Sequence, residues 1–308
     1  METKNNIRTN LQRTFIIGDE WLYYKFYSGP KTADLLLTEM IKPAAEKLLS
    51  EDCIDRWFFI RYQDPGIHIR VRFHLVKPPF LFNVAHLLHS LSRPYIEQDL
   101  IWKVQVDSYQ REIERYGVYS MELAESLFFH DSKMMVNMLD MIAGDEGEKY
   151  RWMFAIRAVD ALLEDFHFEP EGKLELLSVL KESFGREFGI NKSLRDQLKV
   201  KYRDERKTIG VVLDRGQDDE SEMKSLFELL TRKSQAIRPS VNAIFKLEQK
   251  GRLRPLLNDL VGSYIHMMLN RLFRSKQRVH ELVIYDFLWN FYRSDLARRK
   301  HGKKEKNR

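Results

Sequence analysis

The first hundred residues carry short apolar and aromatic runs broken by turn residues, and the rest repeats its apolar positions at helical spacing. Trp21 to Tyr27 is aromatic-rich and reads as a strand. Ser28-Gly29-Pro30 makes a turn, and Thr32 is placed to cap a helix over 33–49. Leu35, Leu36, Met40, Ile41, Ala45 and Leu48 give that helix its apolar stripe. Trp57 to Tyr62 reads as a buried strand, and Asp64-Pro65-Gly66 as the turn that follows. Ile67 to Val76 then alternates like a returning antiparallel strand. Pro78-Pro79 ends it. A helix near 82–92 and a strand over Ile101 to Tyr109 complete a β-α-β-β-α-β order.

From residue 120 the pattern predicts helices over 120–142, 148–166, 170–188, 191–204, 220–249, 253–274 and 278–296. Residues 205–219 are polar and contain glycine, so they read as a loop. The expected fold class is α+β, with a ferredoxin-like βαββαβ sheet layer on the N-terminal side and a mostly helical C-terminal portion. The expected organisation is a flexible start over 1–14, one domain over 15–296 and a basic tail over 297–308. Within that domain, 15–118 is sheet-rich and 119–296 helical.

One strand carries the first chemical signal. Ile67, Ile69, Val71, Phe73 and Leu75 form one face of the returning strand. His68, Arg70, Arg72 and His74 form the other, so its two guanidiniums stand roughly 7 Å apart. Like charges so close need carboxylates, an anionic ligand or open water. Two readings stay open: a solvent-exposed sheet face with acids nearby, or an anion site. The planar fork of arginine suits a carboxylate.

The chain has 308 residues, with hydrophobic content of 44% and charged content of 31%, as in ordinary globular proteins. Its net charge of +6 is partly concentrated in the tail from Arg298 to Lys306. Away from the tail the balance is near neutral, so no direct nucleic-acid binding is expected. The single cysteine, Cys53, has no partner for an intramolecular disulfide, and no apolar run reaches membrane-spanning length. The protein is expected in the cytoplasm. No HExxH, paired CxxC, GxGxxG, Walker loop, EF-hand or nucleophile elbow occurs. Gly29-Pro30-Lys31-Thr32 lacks the upstream glycine of a phosphate loop. No metal and no cofactor are expected, and the chemistry falls to Arg, His, Tyr and Glu.

Trp57-Phe58-Phe59-Ile60-Arg61-Tyr62-Gln63-Asp64-Pro65-Gly66 and the His68-Ile69-Arg70-Val71-Arg72-Phe73 strand after it resemble a known family. So do Trp21 to Tyr27, Tyr109 to Gly117, and His266 to Phe273. The chain resembles the elimination domain of class I lanthipeptide dehydratases, also found free-standing in thiopeptide-type bacteriocin pathways. The resemblance runs over roughly residues 15–295. It implies an enzyme, a lyase that expels glutamate from glutamylated Ser/Thr of a ribosomal precursor peptide and leaves dehydroalanine or dehydrobutyrine. It implies a separate glutamyl-tRNA-dependent protein that attaches the glutamate. The residues it carries over are Arg70, Arg72, Arg115 and His266. Val118 departs from the family, which often has a second glycine there.

Elimination removes the backbone Cα proton and pushes negative charge onto the adjacent carbonyl, so a base and cationic donors are required. On this reading His266 is the base, and Arg72 and Arg115 hold glutamate carboxylates or the developing enolate, with Arg70 beside them. Asn270, one helical turn from His266, orients the ring or the ligand. Tyr109 and Tyr116 donate to the same oxyanion. Each has a plainer alternative: a core histidine, an Arg115 pair with Glu112 or Glu114, and core packing for the tyrosines. Two other functions stay open, a pyridine-forming cycloaddition of thiopeptide type and a non-enzymatic subunit that holds the peptide or a partner. Relatives that run the cycloaddition lose the Arg/His set, which this chain keeps.

Overall fold

The computed structural model describes residues 11–142, 147–214 and 223–306. The chain forms two compact units. The first comprises residues 1–133 and 239–260, the second residues 134–238 and 261–308.

The first unit is built on strands. β1 (Thr14–Phe15) pairs with β6 (Tyr109–Gln110). β2 (Trp21–Tyr27), β3 (Ile54–Gln63), β4 (Ile67–Leu75) and β5 (Lys103–Asp107) form an antiparallel sheet in the order β3-β4-β2-β5. Helices α1 (Pro30–Leu36) and α2 (Lys42–Ser50) link β2 to β3, and α3 (Leu81–Glu97) links β4 to β5. The expected β-α-β-β-α-β succession of elements is present.

Alternation along the strands sorts the side chains. Leu22 and Phe26 of β2, Trp57 and Phe59 of β3, and Ile69, Val71 and Phe73 of β4 share one buried face. Leu36, Met40, Ile41, Ala44, Ala45 and Leu48 are buried on the helical stretch that packs there. Burying seven large side chains at about 1.5–3 kcal/mol each makes this face a large stabilising contact of the unit. Arg61 of β3 lies among them and pairs with Asp34 of α1.

Several expectations are corrected. Thr32 does not cap the first helix: Gly29 holds the N-cap position and Pro30 opens the helix. The expected helix over 33–49 is interrupted by a π-turn at Leu37–Ile41. Pro43 follows that turn and has no N–H for the regular ladder, so the wider turn accommodates it. Strand 101–109 divides at Ser108, and Tyr109 pairs with β1 instead of β2.

The second unit is helical. It contains α6 (Gly147–Asp165), α7 (Pro170–Glu187), α8 (Lys192–Leu213) and α11 (Gln277–Lys306). Three further helices, α5 (Met121–Met141), α9 (Lys224–Gln249) and α10 (Leu257–Leu272), each contain a dividing point between the units. α11 packs along α7, with the buried Tyr285 ring meeting Phe184 of α7 edge-on at 5.2 Å. The expected loop over 205–219 is helical to Leu213, because Ile209, Val212 and Leu213 bury one face while the charged residues point outward. Residues 215–219 lie outside the described residues. The last helix likewise continues past 296, with Asp295 pairing Arg299 at 2.6 Å one turn on.

Candidate functional site

The stripe of β4 is not an exposed sheet face. His68 and Arg72 are buried, and Arg70 and His74 half-buried. Pairing sets Trp21, Tyr23, Lys25 and Tyr27 of β2 across from His74, Arg72, Arg70 and His68. Each basic residue therefore meets an aromatic ring or a lysine.

His68 is held as a neutral ring. Its Nδ1–H donates to the Gly66 carbonyl at 2.8 Å, so Nε2 accepts from Arg70 Nε at 3.0 Å. Burial pushes its pKa below the ordinary histidine value, in agreement with that tautomer. Arg70 lies 3.4 Å over the Tyr62 ring, and this stack and His68 together fix the direction of its fork.

Arg72 is the unusual residue. It is 8% exposed and lies over Tyr23, Tyr109 and Phe58 at 4.3, 5.0 and 5.1 Å. Its Nε and Nη1 have no hydrogen-bond partner among the described residues. Burial lowers its pKa, which the facing tyrosines only partly offset. A guanidinium taken out of water without an acceptor is costly, and an anionic ligand would remove that cost.

Tyr109 has a partner inside the fold. Its hydroxyl donates to Glu125 at 2.9 Å, and burial and that carboxylate push its pKa well up. Glu125 is itself fully buried and grips Arg111 through two bonds of 2.7 Å. Arg111, Glu125 and Tyr109 thus form a closed structural group beneath the Arg72 stack. Tyr116 is buried against Phe128, which in turn meets Phe58. Arg115 stands on the short helix α4 (Ile113–Tyr116), a third exposed, with Glu112 at 3.5 Å and the Tyr116 ring at 5.6 Å. The pairing with Glu112 is one the sequence allowed, and Glu112 also acts electrostatically on Arg72. Gly117 ends α4 at φ +79°, and a side chain there would run into the Arg254 carbonyl.

A second cluster lies wholly in the second unit. The His266 Nδ1 stands 3.0 Å from both carboxylate oxygens of Glu281, which is fully buried. Glu281 also accepts from the Tyr285 hydroxyl at 3.1 Å and from the Gln277 amide. The Gln277 amide nitrogen bonds the His266 carbonyl at 3.1 Å as well. A carboxylate facing Nδ1 fixes the proton there and leaves Nε2 as the nitrogen able to accept one. The Asn270 amide donates to Gln277 Oε1 at 2.7 Å.

Residues 21–292 match the family model of the C-terminal part of lantibiotic biosynthesis dehydratases. The chain belongs to that family. The subtilin biosynthesis protein SpaB of Bacillus subtilis is 25% identical over 272 residues, which are 86% of this chain and 25% of that one. The chain therefore spans about a quarter of this relative's length. A crystal structure of the tRNA-dependent lantibiotic dehydratase MibB from Microbispora sp. 107891 superposes with a TM-score of 0.69 at 24% identity. It covers 93% of this chain and 29% of MibB. The pyridine synthase TbtD from thiomuracin biosynthesis gives a TM-score of 0.66 at 14% identity, covering 90% of this chain and 98% of TbtD. These two likenesses establish the shared fold.

Within this dehydratase-family chain, Arg70, Arg72, Tyr109, Arg115 and Tyr116 belong to the first unit, and His266 and Asn270 to the second. The sequence reading missed Glu281, Gln277 and Tyr285. Their four-residue spacing puts them on one face of α11, with the acid in the middle. It also missed Arg111, which lies within the Tyr109 to Gly117 stretch, and Glu125, which lies in no motif. Among the described residues no helix is long and apolar enough to cross a membrane.

Proposed function

We propose that this chain eliminates glutamate from glutamylated Ser and Thr residues of a ribosomal precursor peptide. A base removes the Cα proton, the electron pair forms the Cα–Cβ double bond, and the Cβ–O bond breaks to release glutamate as a carboxylate. The products are dehydroalanine and dehydrobutyrine. The observation that carries this reading is Arg72, a buried guanidinium whose Nε and Nη1 lack acceptors. A stabilised acidic leaving group or enolate needs donors of that kind.

His266 is the base, with Glu281 holding the productive tautomer. Arg72 and Arg115 receive the anionic oxygens, and Arg70 adds charge from its fixed position. Family membership and the likeness to MibB support a dehydratase role. The reading assigns glutamylation to a separate glutamyl-tRNA-dependent protein and the substrate to a precursor peptide. We also read the four-stranded sheet as ferredoxin-like; the βαββαβ succession and the order β3-β4-β2-β5 support that.

The test is direct. Purified protein is mixed with a synthetic glutamylated peptide, and loss of glutamic acid is followed by mass spectrometry. The wild type converts the peptide, while His266→Ala, Arg72→Ala and Arg115→Ala lower the yield sharply. Equal yields from the wild type and His266→Ala overturn the proposal. So does cyclisation of a peptide that already carries dehydroalanines, which marks the cycloaddition instead.

A further inference from the structure

Tyr23 stands on β2 directly across from Arg72 on β4 and from Asp107 on β5. Two residues on, Lys25 stands across from Arg70. Strand alternation puts these side chains on one face of the sheet. Tyr23 is 4% exposed, and its hydroxyl has no hydrogen-bond partner among the described residues. Arg72 Nε and Nη1 share that condition. Two neighbouring buried residues thus hold three unfilled hydrogen-bonding groups, with the Arg72 guanidinium 4.3 Å over the Tyr23 ring.

Buried polar groups in folded proteins are nearly always satisfied, so three together need a common explanation. The charge around them indicates its sign. Arg72, Arg70 and Lys25 all act on the Tyr23 hydroxyl, against Asp107 alone. Asp107 is already paired with Lys25. A carboxylate accepts hydrogen bonds and donates none, has two oxygens to share, and matches the planar fork of arginine. A neutral amide would bring donors of its own into a region that already has too many.

We infer that the Tyr23 hydroxyl and the Arg72 guanidinium form one carboxylate-binding site, in which Tyr23 touches the substrate. The identity of that carboxylate, glutamate, rests on the elimination reading above; the site itself does not. Tyr23 donates its hydroxyl proton to one oxygen, and Arg72 donates to the other. The Tyr23 pKa is raised by burial, which keeps the hydroxyl protonated and able to donate.

Tyr23→Phe is the informative change, because it removes the hydroxyl and keeps the ring under Arg72. Binding of L-glutamate is measured by isothermal titration calorimetry, with inorganic phosphate as the comparison anion. The wild type binds glutamate saturably and more tightly than phosphate, and Tyr23→Phe weakens glutamate about tenfold or more. Without glutamate the variant melts at the wild-type temperature or above it, since an unfilled buried hydroxyl has been removed. With glutamate only the wild type gains a large thermal shift. Equal glutamate affinity in the two proteins overturns the inference, as does a wild type that binds no glutamate or prefers phosphate. If Tyr23 proves necessary for glutamate binding and no glutamylated peptide is converted, the carboxylate site stands and the elimination reading falls.

Discussion

Glu281→Gln tests the second cluster with the least change of shape. The wild-type carboxylate is fully buried and faces three donors: the His266 ring, the Tyr285 hydroxyl and the Gln277 amide. An amide in its place keeps one acceptor oxygen and turns the other position into a donor. If the amide nitrogen faces Nδ1, the imidazole must carry its proton on Nε2, and that tautomer cannot accept a proton from Cα. If the oxygen faces Nδ1, the charge that stabilises the imidazolium is still lost. One hydrogen bond to a charged group is worth about 1.5–3 kcal/mol, or roughly 10- to 150-fold in rate. The matching change in a serine-protease triad costs about 10⁴-fold, which sets the upper end. The expected loss in kcat is therefore on the order of 10 to 10⁴, with KM little changed because Glu281 is too buried to touch substrate. The assay is a single-turnover time course on a glutamylated peptide, read by mass spectrometry. A second arm compares His266→Ala with the His266→Ala, Glu281→Gln double variant; residues acting as one unit give equal rates. A Glu281→Gln enzyme within about threefold of the wild type, with an unchanged melting temperature, refutes the orienting role and weakens His266 as the base.

Two further predictions concern stability. Gly117→Ala places a Cβ 1.7 Å from the Arg254 carbonyl oxygen at φ +79°. A positive φ with an extended ψ is essentially a glycine conformation that costs another residue about 1–3 kcal/mol, and the clash adds to it, so the urea midpoint should fall clearly; an unchanged midpoint contradicts this local packing. His68 is held neutral with its pKa lowered by burial. The unfolded chain takes up a proton near the ordinary value of 6.5, and the folded ring only at lower pH. The unfolded state thus binds more protons in that window, and stability falls as pH drops through it. Urea midpoints should be lower at about pH 5.5 than at about pH 7.5, and His68→Gln should shrink the difference. His280, also lowered by burial, contributes with the same sign and leaves a residual slope.

What could be read in advance depended on whether a signal was local. β4 was legible because a strand buried on both faces still alternates, and Ile67 to Leu75 shows that alternation without interruption. The helix ends were less so: polarity at 204–206 suggested a loop, yet Ile209, Val212 and Leu213 keep α8 going by their spacing alone. The roles of individual residues needed tertiary pairing. Nothing in the sequence around Tyr109 points to Glu125, sixteen residues on, which accepts from its hydroxyl and from Arg111. His266 carries no hint of Glu281, fifteen residues ahead on another helix. The same logic separates Arg111 from Arg72. Both guanidiniums are buried against aromatic rings, but Arg111 has a fully buried carboxylate as its partner, so its charge is settled within the fold. Arg72 has tyrosines and no such carboxylate among the described residues, and that difference is what the proposed carboxylate site rests on.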